Sequence, residues 1–306
     1  SEQMHKPVTL YRTNPDVVIL GSSIAQVSID PYEVERFTGL KTYNFGIDGP
    51  TMYEMYSFFN FAVRNTNAKK MIVLIDFMMF NGGRGLHNSR FNYKRMQLDL
   101  SNEILDYFNP KEIVNVFFSI NTFTKSLKTI FNQSGQSTYD LGFNREQFAL
   151  YERPINYSLV FYESRKAYLS FFYAHNSKKD WFTTSEGFNL FESFRKMVND
   201  ARKNEIELSI VLTPVNVHFM EGLQDSKNLG LTFLDWKQTV IDIIDKENKK
   251  TTKKSLAFFD YTNTKDKRNR ETIPEPYTSP MIYWNDAYHS SIYYGNEIIR
   301  DVFGNN

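Results

Sequence analysis

Short apolar runs rich in β-branched residues alternate with longer helical patterns along most of this chain. Four of the runs have the length and composition of buried strands: Val17–Leu20, Met71–Asp76, Ile206–Leu212 and Leu256–Phe259. A shorter run, Thr42–Phe45, lies between the first two. Helical patterns cover Met52–Arg64, Phe188–Asn204, Phe233–Lys246 and Ser290–Val302. Alternating strands and helices predict an α/β fold, a three-layer α/β/α sandwich with a central parallel sheet.

The segment from about 82 to 181 departs from this alternation. It contains helical patterns at Gln97–Tyr107, Lys111–Phe131 and Tyr162–His175, and a polar loop at 132–144. We therefore expect a single domain over residues 1–306, with a mainly helical insertion at about 82–181. This insertion is expected to form a cap or a partner surface.

Composition excludes several classes of function. The net charge is +1, so there is no basic excess to neutralise the phosphates of a nucleic acid. The absence of cysteine excludes disulfides, thiolate catalysis and cysteine-rich zinc sites. No apolar run approaches the roughly 20 residues that a membrane-spanning helix needs. We accordingly predict neither a nucleic-acid partner nor a membrane segment within these residues.

Two short motifs at opposite ends of the chain carry the candidate chemistry. The first strand breaks at Gly21 into Ser22-Ser23, and near the C-terminus Asp286 precedes His289 by three residues. A carboxylate beside an imidazole fixes the ring tautomer and stabilises the imidazolium that forms when the ring takes a serine proton. Ligands of parallel sheets bind at the carboxyl ends of the strands. We therefore predict that a serine of the first turn meets Asp286 and His289 at that edge.

These motifs resemble those of the SGNH/GDSL hydrolase superfamily, a three-layer α/β/α fold of esterases and acyltransferases. Family members carry Gly-Asp-Ser after the first strand, where this chain has Gly21-Ser22-Ser23. The resemblance assigns the nucleophile to Ser23, with Ser22 in place of the usual Asp. The last family block, Asp-x-x-His, is matched by Asp286 and His289, which the resemblance makes the acid and the base.

The resemblance also implies an oxyanion hole that includes the backbone N–H of Ser23. The stretch YNFGIDGPT resembles the second family block, whose glycine lends another backbone N–H. Spacing favours Gly49 for this role, with Gly46 as the rival. The third block, Gly-x-Asn-Asp, is replaced by IDFMMFNGG, in which Asn81 is the candidate amide donor, about one residue late. Loss of one such donor typically costs about 2.7–4 kcal/mol of transition-state stabilisation.

The variant blocks are more similar to a subset of extracytoplasmic bacterial proteins. That subset includes O-acetyltransferases of exopolysaccharides and the D-alanyl-lipoteichoic acid machinery. The resemblance implies a carbohydrate or acyl-ester substrate, a membrane-bound partner that donates the acyl group, and a periplasmic or cell-surface location. It also implies an N-terminal tether upstream of Ser1. The sequence leaves water and a sugar hydroxyl open as acyl acceptors.

Five further residues flank the expected cleft and are predicted to contact substrate: Asp48, Tyr53, His218, Trp284 and Tyr288. For His218 the alternative is a loop histidine without a role, and for Tyr288 it is core packing. No pair of histidines has the spacing of a metal site, so neither a metal nor another cofactor is predicted.

Two alternative interpretations remain. The segment GSSIA approximates the G-x-S-x-G elbow of α/β-hydrolases. That elbow follows several earlier strands, however, whereas this one follows the first strand. The second alternative is a protein that keeps the fold without catalysis and binds polysaccharide as a scaffold subunit, which the altered third block permits.

Overall fold

The computed structural model describes residues 2–84, 156–175, 181–225, 227–250, 256–273 and 281–304. Within these residues five strands form one sheet in the order β2-β1-β3-β4-β5, and all neighbouring pairs are parallel. The strands are β1 (Val17–Gly21), β2 (Thr42–Asn44), β3 (Lys70–Ile75), β4 (Glu207–Leu212) and β5 (Leu256–Asp260). The predicted α/β class with a central parallel sheet is confirmed.

One strand differs in burial from its prediction. β1, β3 and β4 are almost wholly buried, but β5 is buried only at Leu256 and is partly exposed over the rest of its length. β5 lies at one edge of the sheet and pairs with β4 alone, but β2, at the other edge, is wholly buried, so edge position by itself does not account for the exposure of β5.

Helices cover both faces of the sheet. They are α1 (Glu2–Thr13), α2 (Ser23–Ser28), α3 (Pro31–Thr38), α4 (Met52–Asn65), α5 (Tyr157–His175), α6 (Leu190–Lys203), α7 (Val217–Asp225), α8 (Lys227–Asn248) and α9 (Ile292–Phe303). None of the helices in the described residues is long and apolar enough to cross a membrane.

The predicted helices that fall within the described residues are present with shifted ends, and four further helices there had no prediction. α4, α6 and α9 agree with their patterns within about two residues, whereas α8 begins at Lys227 rather than at Phe233. α1, α2, α3 and α7 were not predicted. α2 shows why, because five of its six residues are buried and a short, fully buried helix has no polar face to mark its period. The patterns at Gln97–Tyr107 and Lys111–Phe131 and the loop at 132–144 lie outside the described residues.

Two hydrophobic clusters fill the two sides of the sheet. Alternate side chains of a strand point to opposite faces, and β1 accordingly sends Val18 and Leu20 into one cluster and Val17 and Ile19 into the other. The first cluster contains side chains of α4, α6 and α8, and the second contains side chains of α2, α3 and α9. The three layers of the sandwich follow from this division.

Local caps place two helix starts close to the carboxyl edge of the sheet. α4 begins with a capping box, in which Thr51 N donates to Glu54 Oε2 at 2.6 Å and Glu54 N donates to Thr51 Oγ1 at 3.3 Å. α3 begins after Asp30, whose Oδ1 accepts from Tyr32 N at 2.8 Å. Both caps fix where the chain turns after leaving a strand or a short helix.

Candidate active site

The turn after β1 presents Ser23 at the start of a helix. Ser22 caps α2, because its Oγ accepts from Ile24 N at 3.3 Å, and Ser23 is the first helical residue. Gly21 allows this tight passage, since a Cβ there would lie 2.6 Å from the Cβ of Ala25 and 2.9 Å from Leu74 O. The sharp strand-to-helix turn therefore brings Ser23 to the carboxyl edge of the sheet.

Three side chains from the two ends of the chain form a continuous hydrogen-bonded row. Ser23 Oγ lies 2.9 Å from His289 Nε2, and His289 Nδ1 lies 2.8 Å from Asp286 Oδ2. The other carboxylate oxygen, Asp286 Oδ1, accepts from the backbone N–H groups of Tyr288 at 2.7 Å and His289 at 2.8 Å. Because an ionised carboxylate only accepts, Nδ1 carries the ring proton and Nε2 is left to accept the proton of Ser23.

Mutual attraction between His289 and Asp286 shifts their pKa values in opposite directions, upwards for His289 and downwards for Asp286. Burial by itself lowers the pKa of His289, but the charge and hydrogen bond of Asp286 raise it, with smaller contributions from the charges of Asp48 and Asp76, and the net pKa is above the usual 6.5. Burial by itself raises the pKa of the Asp286 carboxyl, but the charge and hydrogen bonds of His289 hold it below its usual value. Asp286 is therefore ionised near neutral pH, as an orienting carboxylate must be.

The two backbone N–H groups predicted for an oxyanion hole, those of Ser23 and Gly49, are not engaged by other residues in the described part of the chain. The N–H of Ser23 stands at the first position of α2, where a helix offers no acceptor to it. The N–H of Gly49 has no hydrogen bond among the described residues, and Gly49 has the left-handed φ of 57°. These are the two backbone donors that the resemblance and the spacing predicted.

The rival glycine has its N–H engaged. Gly46 N donates to Asn44 Oδ1 at 2.9 Å. The same Asn44 amide donates through Nδ2 to Ala25 O at 2.9 Å and Ile29 O at 2.8 Å, which ties the end of β2 to α2. Lys6 Nζ adds a bond to Gly46 O at 2.6 Å. This arrangement favours Gly49 over Gly46 as an oxyanion donor.

The turn after β3 places a carboxylate, rather than an amide, beside the nucleophile turn. Asp76 Oδ2 accepts from Ser22 Oγ at 2.5 Å, and its Oδ1 accepts from Met79 N at 3.0 Å. Asn81 is fully buried, its Oδ1 accepts from Gly83 N at 3.0 Å, and it has no hydrogen bond to Ser23, Asp286 or His289 in the described part of the chain. An ionised carboxylate donates nothing to an oxyanion, so Asp76 acts on this site through its charge and through Ser22.

The predicted substrate contacts separate into two groups. Asp48 is exposed and Tyr288 is half-buried, and both lie close enough to His289 to act on it. Tyr53 and Trp284 are instead core residues with exposed fractions of 3% and 2%. Tyr53 packs on the ring of Phe188, with centroids 4.3 Å apart.

Trp284 is held inside the protein by its own polar atom. Its Nε1 donates to Arg268 O at 2.7 Å, and its ring meets the edge of Tyr294. A substrate would have to displace both contacts, so the structure offers Trp284 no open face.

His218 lies at the start of α7 and is partly exposed. Its Nδ1 is 3.2 Å from Glu221 Oε2, and its ring meets Phe161 edge to face. The pair is local to one helix turn and has no hydrogen bond to the Ser23–His289–Asp286 triad. The described residues contain no group of three or more histidine or carboxylate side chains that could hold a metal ion.

Helix α5 supplies a site residue that the sequence did not indicate. The ring of Tyr168 stacks on Tyr288, with centroids 4.6 Å apart, and meets the His289 ring edge to face at 5.4 Å. Ser164, one helical turn earlier, accepts from Ala287 N at 3.1 Å through its Oγ. The helical pattern of this segment was visible, but nothing in it showed which face would lie against the loop that carries His289.

A small cavity of about 20 Å³ lies next to the chain segments that carry the triad, although Ser23, Asp286 and His289 do not line it themselves. Its wall includes Ile24, which follows Ser23, and Ala287 and Tyr288, which lie between Asp286 and His289. The rest of the wall is mainly apolar and comes from the ends of β3 and β4 and from α5, α7 and α8. The turn after Ser23 and the loop before His289 therefore border a cavity with little room.

Fold and site together have the geometry of a serine nucleophile, an imidazole base and an orienting carboxylate on a parallel α/β sheet. No model of a known protein family matches the chain, and no curated protein matches it either. Among solved structures, a candidate acylhydrolase from Bacteroides fragilis is 11% identical, with a TM-score of 0.39 over 99% of this chain and 94% of its own. A protein described as a candidate platelet activating factor from Streptococcus pneumoniae is also 11% identical, with a TM-score of 0.41 over 99% of this chain and 92% of its own. At these values neither similarity carries an argument about activity.

Proposed function

We propose that this protein is a serine-dependent acyl-transfer enzyme of the SGNH type. The observation that carries the proposal is the hydrogen-bonded row from Ser23 through His289 to Asp286. These residues come from opposite ends of the chain, and a fold that needed only a capped helix would have no use for all three in line. The carboxyl-edge position of the row agrees with the usual place of ligands in parallel sheets.

The mechanism follows from the roles that the geometry allows. His289 Nε2 takes the proton of Ser23 while Oγ forms a bond to the ester carbonyl carbon. The negative charge on the carbonyl oxygen is held by the N–H groups of Ser23 and Gly49. As the intermediate collapses, the carbon–oxygen bond to the leaving alcohol breaks and His289 returns its proton to that alcohol. An acceptor hydroxyl then repeats the sequence on the acyl-serine.

We further propose that the ester and the acceptor belong to a cell-surface carbohydrate, as in O-acetyltransferases and O-acetylesterases. Tyr168 and Tyr288 support this assignment, since half-buried aromatic rings beside the base suit the faces of sugars. Asp48 is exposed near His289, and its carboxylate is a candidate hydrogen-bond acceptor for sugar hydroxyl groups. A membrane-bound acyl donor, a periplasmic or cell-surface location and an upstream tether belong to the same proposal.

The first test is hydrolysis of 4-nitrophenyl acetate by the wild-type protein and by Ser23→Ala. Ser28→Ala is the matched control, because Ser28 lies in the same helix and its Oγ donates only to Ile24 O, at 2.6 Å. Activity that is lost in Ser23→Ala and kept in Ser28→Ala supports the acyl-serine. Equal rates in all three proteins, or none above buffer, would leave the polysaccharide-binding scaffold as the better hypothesis.

The acceptor is tested separately, by mass spectrometry of the products formed from 4-nitrophenyl acetate in the presence of an oligosaccharide such as cellohexaose. An acetylated sugar that appears with the wild type and not with Ser23→Ala supports a transferase. Release of acetate alone supports an esterase. If the wild type and Ser23→Ala bind the oligosaccharide equally and neither turns over the ester, the result supports the scaffold hypothesis.

A further inference from the structure

The cavity beside the triad contains two buried hydrogen-bond donors without partners. Asn216 and Trp236 both line it, and each has an exposed fraction of 1%. Neither Asn216 Nδ2 nor Trp236 Nε1 has a hydrogen-bond partner among the residues that the structure describes. Buried polar groups in native proteins are nearly always paired, and exceptions call for an explanation. Two unpaired donors on one small cavity indicate a ligand with an acceptor atom.

Neither donor can satisfy itself by rotating. Asn216 Oδ1 accepts from the backbone N–H of His218 at 2.9 Å, and because a backbone N–H only donates, the amide oxygen must face it. Asn216 Nδ2 is thereby the atom left over. The indole of Trp236 is also only a donor, and its ring is held between Phe77, at 5.6 Å, and Phe233, at 5.3 Å between centroids.

The cavity is placed to receive the acyl part of an ester. Its wall contains Ile24, Ala287 and Tyr288, the chain neighbours of Ser23, Asp286 and His289. It also contains Asp76, which accepts from Ser22. Ser23 itself does not line the cavity, so an acyl group on Ser23 Oγ would enter it by extending beyond the serine.

Size and charge restrict what the cavity can hold. About 20 Å³ is enough for one or two heavy atoms beyond the reacting carbon, since a single water needs roughly 10–15 Å³. No lysine, arginine or histidine lines the cavity, whereas the carboxylate of Asp76 does. An anionic acyl group would therefore gain no counter-ion there and would be repelled. An uncharged oxygen suits both donors.

We propose that this cavity is the acyl subsite and that it selects a short, uncharged acyl group with an oxygen on the carbon next to the ester carbonyl, such as hydroxyacetyl. The proposal rests on the acyl-transfer function proposed above. An unsubstituted acetyl group fits the same space but leaves both donors unpaired, and a long alkyl chain does not fit.

The kinetic test compares 4-nitrophenyl hydroxyacetate with 4-nitrophenyl propionate, which have acyl groups of nearly the same shape. Each kcat/KM is divided by the rate of the same ester with hydroxide, which removes the difference in intrinsic reactivity. The wild type should prefer hydroxyacetate by roughly 3- to 10-fold, the effect of one or two neutral hydrogen bonds. Hexanoate should be slower than propionate by at least about 10-fold, because the cavity excludes its chain.

Trp236→Phe removes the indole donor, keeps an aromatic ring and leaves the Asn216 donor in place, so the preference for hydroxyacetate should fall by roughly 3-fold, the effect of one neutral hydrogen bond. Trp181→Phe is the matched control, because Trp181 Nε1 is also buried without a partner in the described residues but Trp181 does not line the cavity. That variant should keep the preference. A wild type without preference, or a Trp236→Phe protein that retains it, would overturn the proposal and indicate a cavity that holds only water.

A binding test needs no turnover and uses the Ser23→Ala protein. The chain has three tryptophans, so a ¹⁵N-labelled sample shows three indole N–H signals, and Trp236→Phe identifies one of them. Hydroxyacetone should shift the Trp236 signal and leave those of Trp181 and Trp284 in place, whereas 2-butanone, of the same shape, should not. Equal effects of the two probes, or none, would refute the subsite. A selective shift in a protein whose wild type turns over no ester would keep the subsite and refute acyl transfer.

Discussion

Gly295→Ala should damage both the fold and the candidate site, because Gly295 lies where α9 crosses the end of α2. A Cβ at Gly295 would stand 1.7 Å from Ser28 O and 2.6 Å from Ser28 C, which are backbone atoms of the helix that begins with Ser23. An ordinary carbon–oxygen contact is at least about 3.3 Å, so the two helices must separate by about 1.6 Å. α2 carries Ser23 and α9 begins three residues after His289.

Two magnitudes follow from this separation. Overpacking of a close contact costs about 1–3 kcal/mol, and with rigid backbone on one side we expect the upper end. The replacement of glycine by alanine within a helix returns about 1 kcal/mol, so the net loss of unfolding free energy should be about 2 kcal/mol. The Ser23–His289 distance of 2.9 Å cannot absorb such a shift, and a misplacement of about 1 Å costs on the order of 100-fold in rate.

Gly230→Ala is the matched control. Gly230 is the fourth residue of α8, as Gly295 is of α9, but a Cβ there would meet Gln224 only at ordinary contact distances of 3.4 Å and beyond. Urea unfolding followed by tryptophan fluorescence gives the stability of each variant, and 4-nitrophenyl acetate gives the activity. Gly230→Ala should be as stable as the wild type or more so, and fully active. If Gly295→Ala equals Gly230→Ala in both assays, the inferred close contact between α9 and α2 is wrong.

Three further variants test separate parts of the structure. Asp286→Asn should lower kcat by about 10⁴-fold, since the ring loses its orienting charge. It should also move the acid limb of the pH profile of kcat/KM from above the usual 6.5 towards lower pH, because burial, which lowers the pKa of His289, is then offset only by the smaller effects of Asp48 and Asp76. An acid limb that does not move would contradict this. Thr51→Ala removes half of a capping box and should lower the free energy of unfolding in urea by about 1 kcal/mol. An unchanged free energy of unfolding would show that the cap does not stabilise α4. Phe77→Ala empties the centre of a cluster in which four rings lie within 5.6 Å of the Phe77 ring, and should cost about 3–5 kcal/mol in the same assay; a loss below about 1 kcal/mol would show that the cluster is not packed as described.

The layered fold was open to prediction because its signal is local. A strand buried on both faces leaves an unbroken apolar run, as at Met71–Asp76, and the helices that cover the sheet leave a repeating polar face, as in α6. α2 leaves neither signal, since burial on all sides removes the contrast on which a helical pattern depends. The edge position of β5 is likewise a property of the assembled sheet and not of its own residues.

The residues of the candidate site likewise fall into those that could be predicted from the sequence and those that could not. Ser23, Asp286 and His289 were recognisable because each residue type has a chemical role and a fixed place relative to a strand or helix end. Trp284 precedes Asp286 by two positions, which suggested a cleft residue, but its ring points into the core because Arg268 O accepts its N–H. Tyr168 could not be foreseen, since its place beside His289 depends on how α5 docks.

The two donors of the small cavity were equally hidden from the sequence. Asn216 and Trp236 belong to different elements, and neither carries a motif. Only the packing of α8 beside the loop after β4 brings them to one cavity, and only a full account of hydrogen bonds shows that each lacks a partner in the described residues.

Because Ser23 and His289 are far apart in the sequence, the site can form only late in the synthesis of the chain. Ser23 and His289 are 266 positions apart, so at about 5–20 residues per second a ribosome reaches the histidine roughly 13 to 53 seconds after the serine. Once β3 has been made, the strand that precedes the serine can pair with β2 and β3, while His289 has not yet been synthesised. Under the proposed function, the serine of a growing chain stays unreactive on a partly built sheet until the last loop folds back onto the edge of the sheet and brings His289 to it.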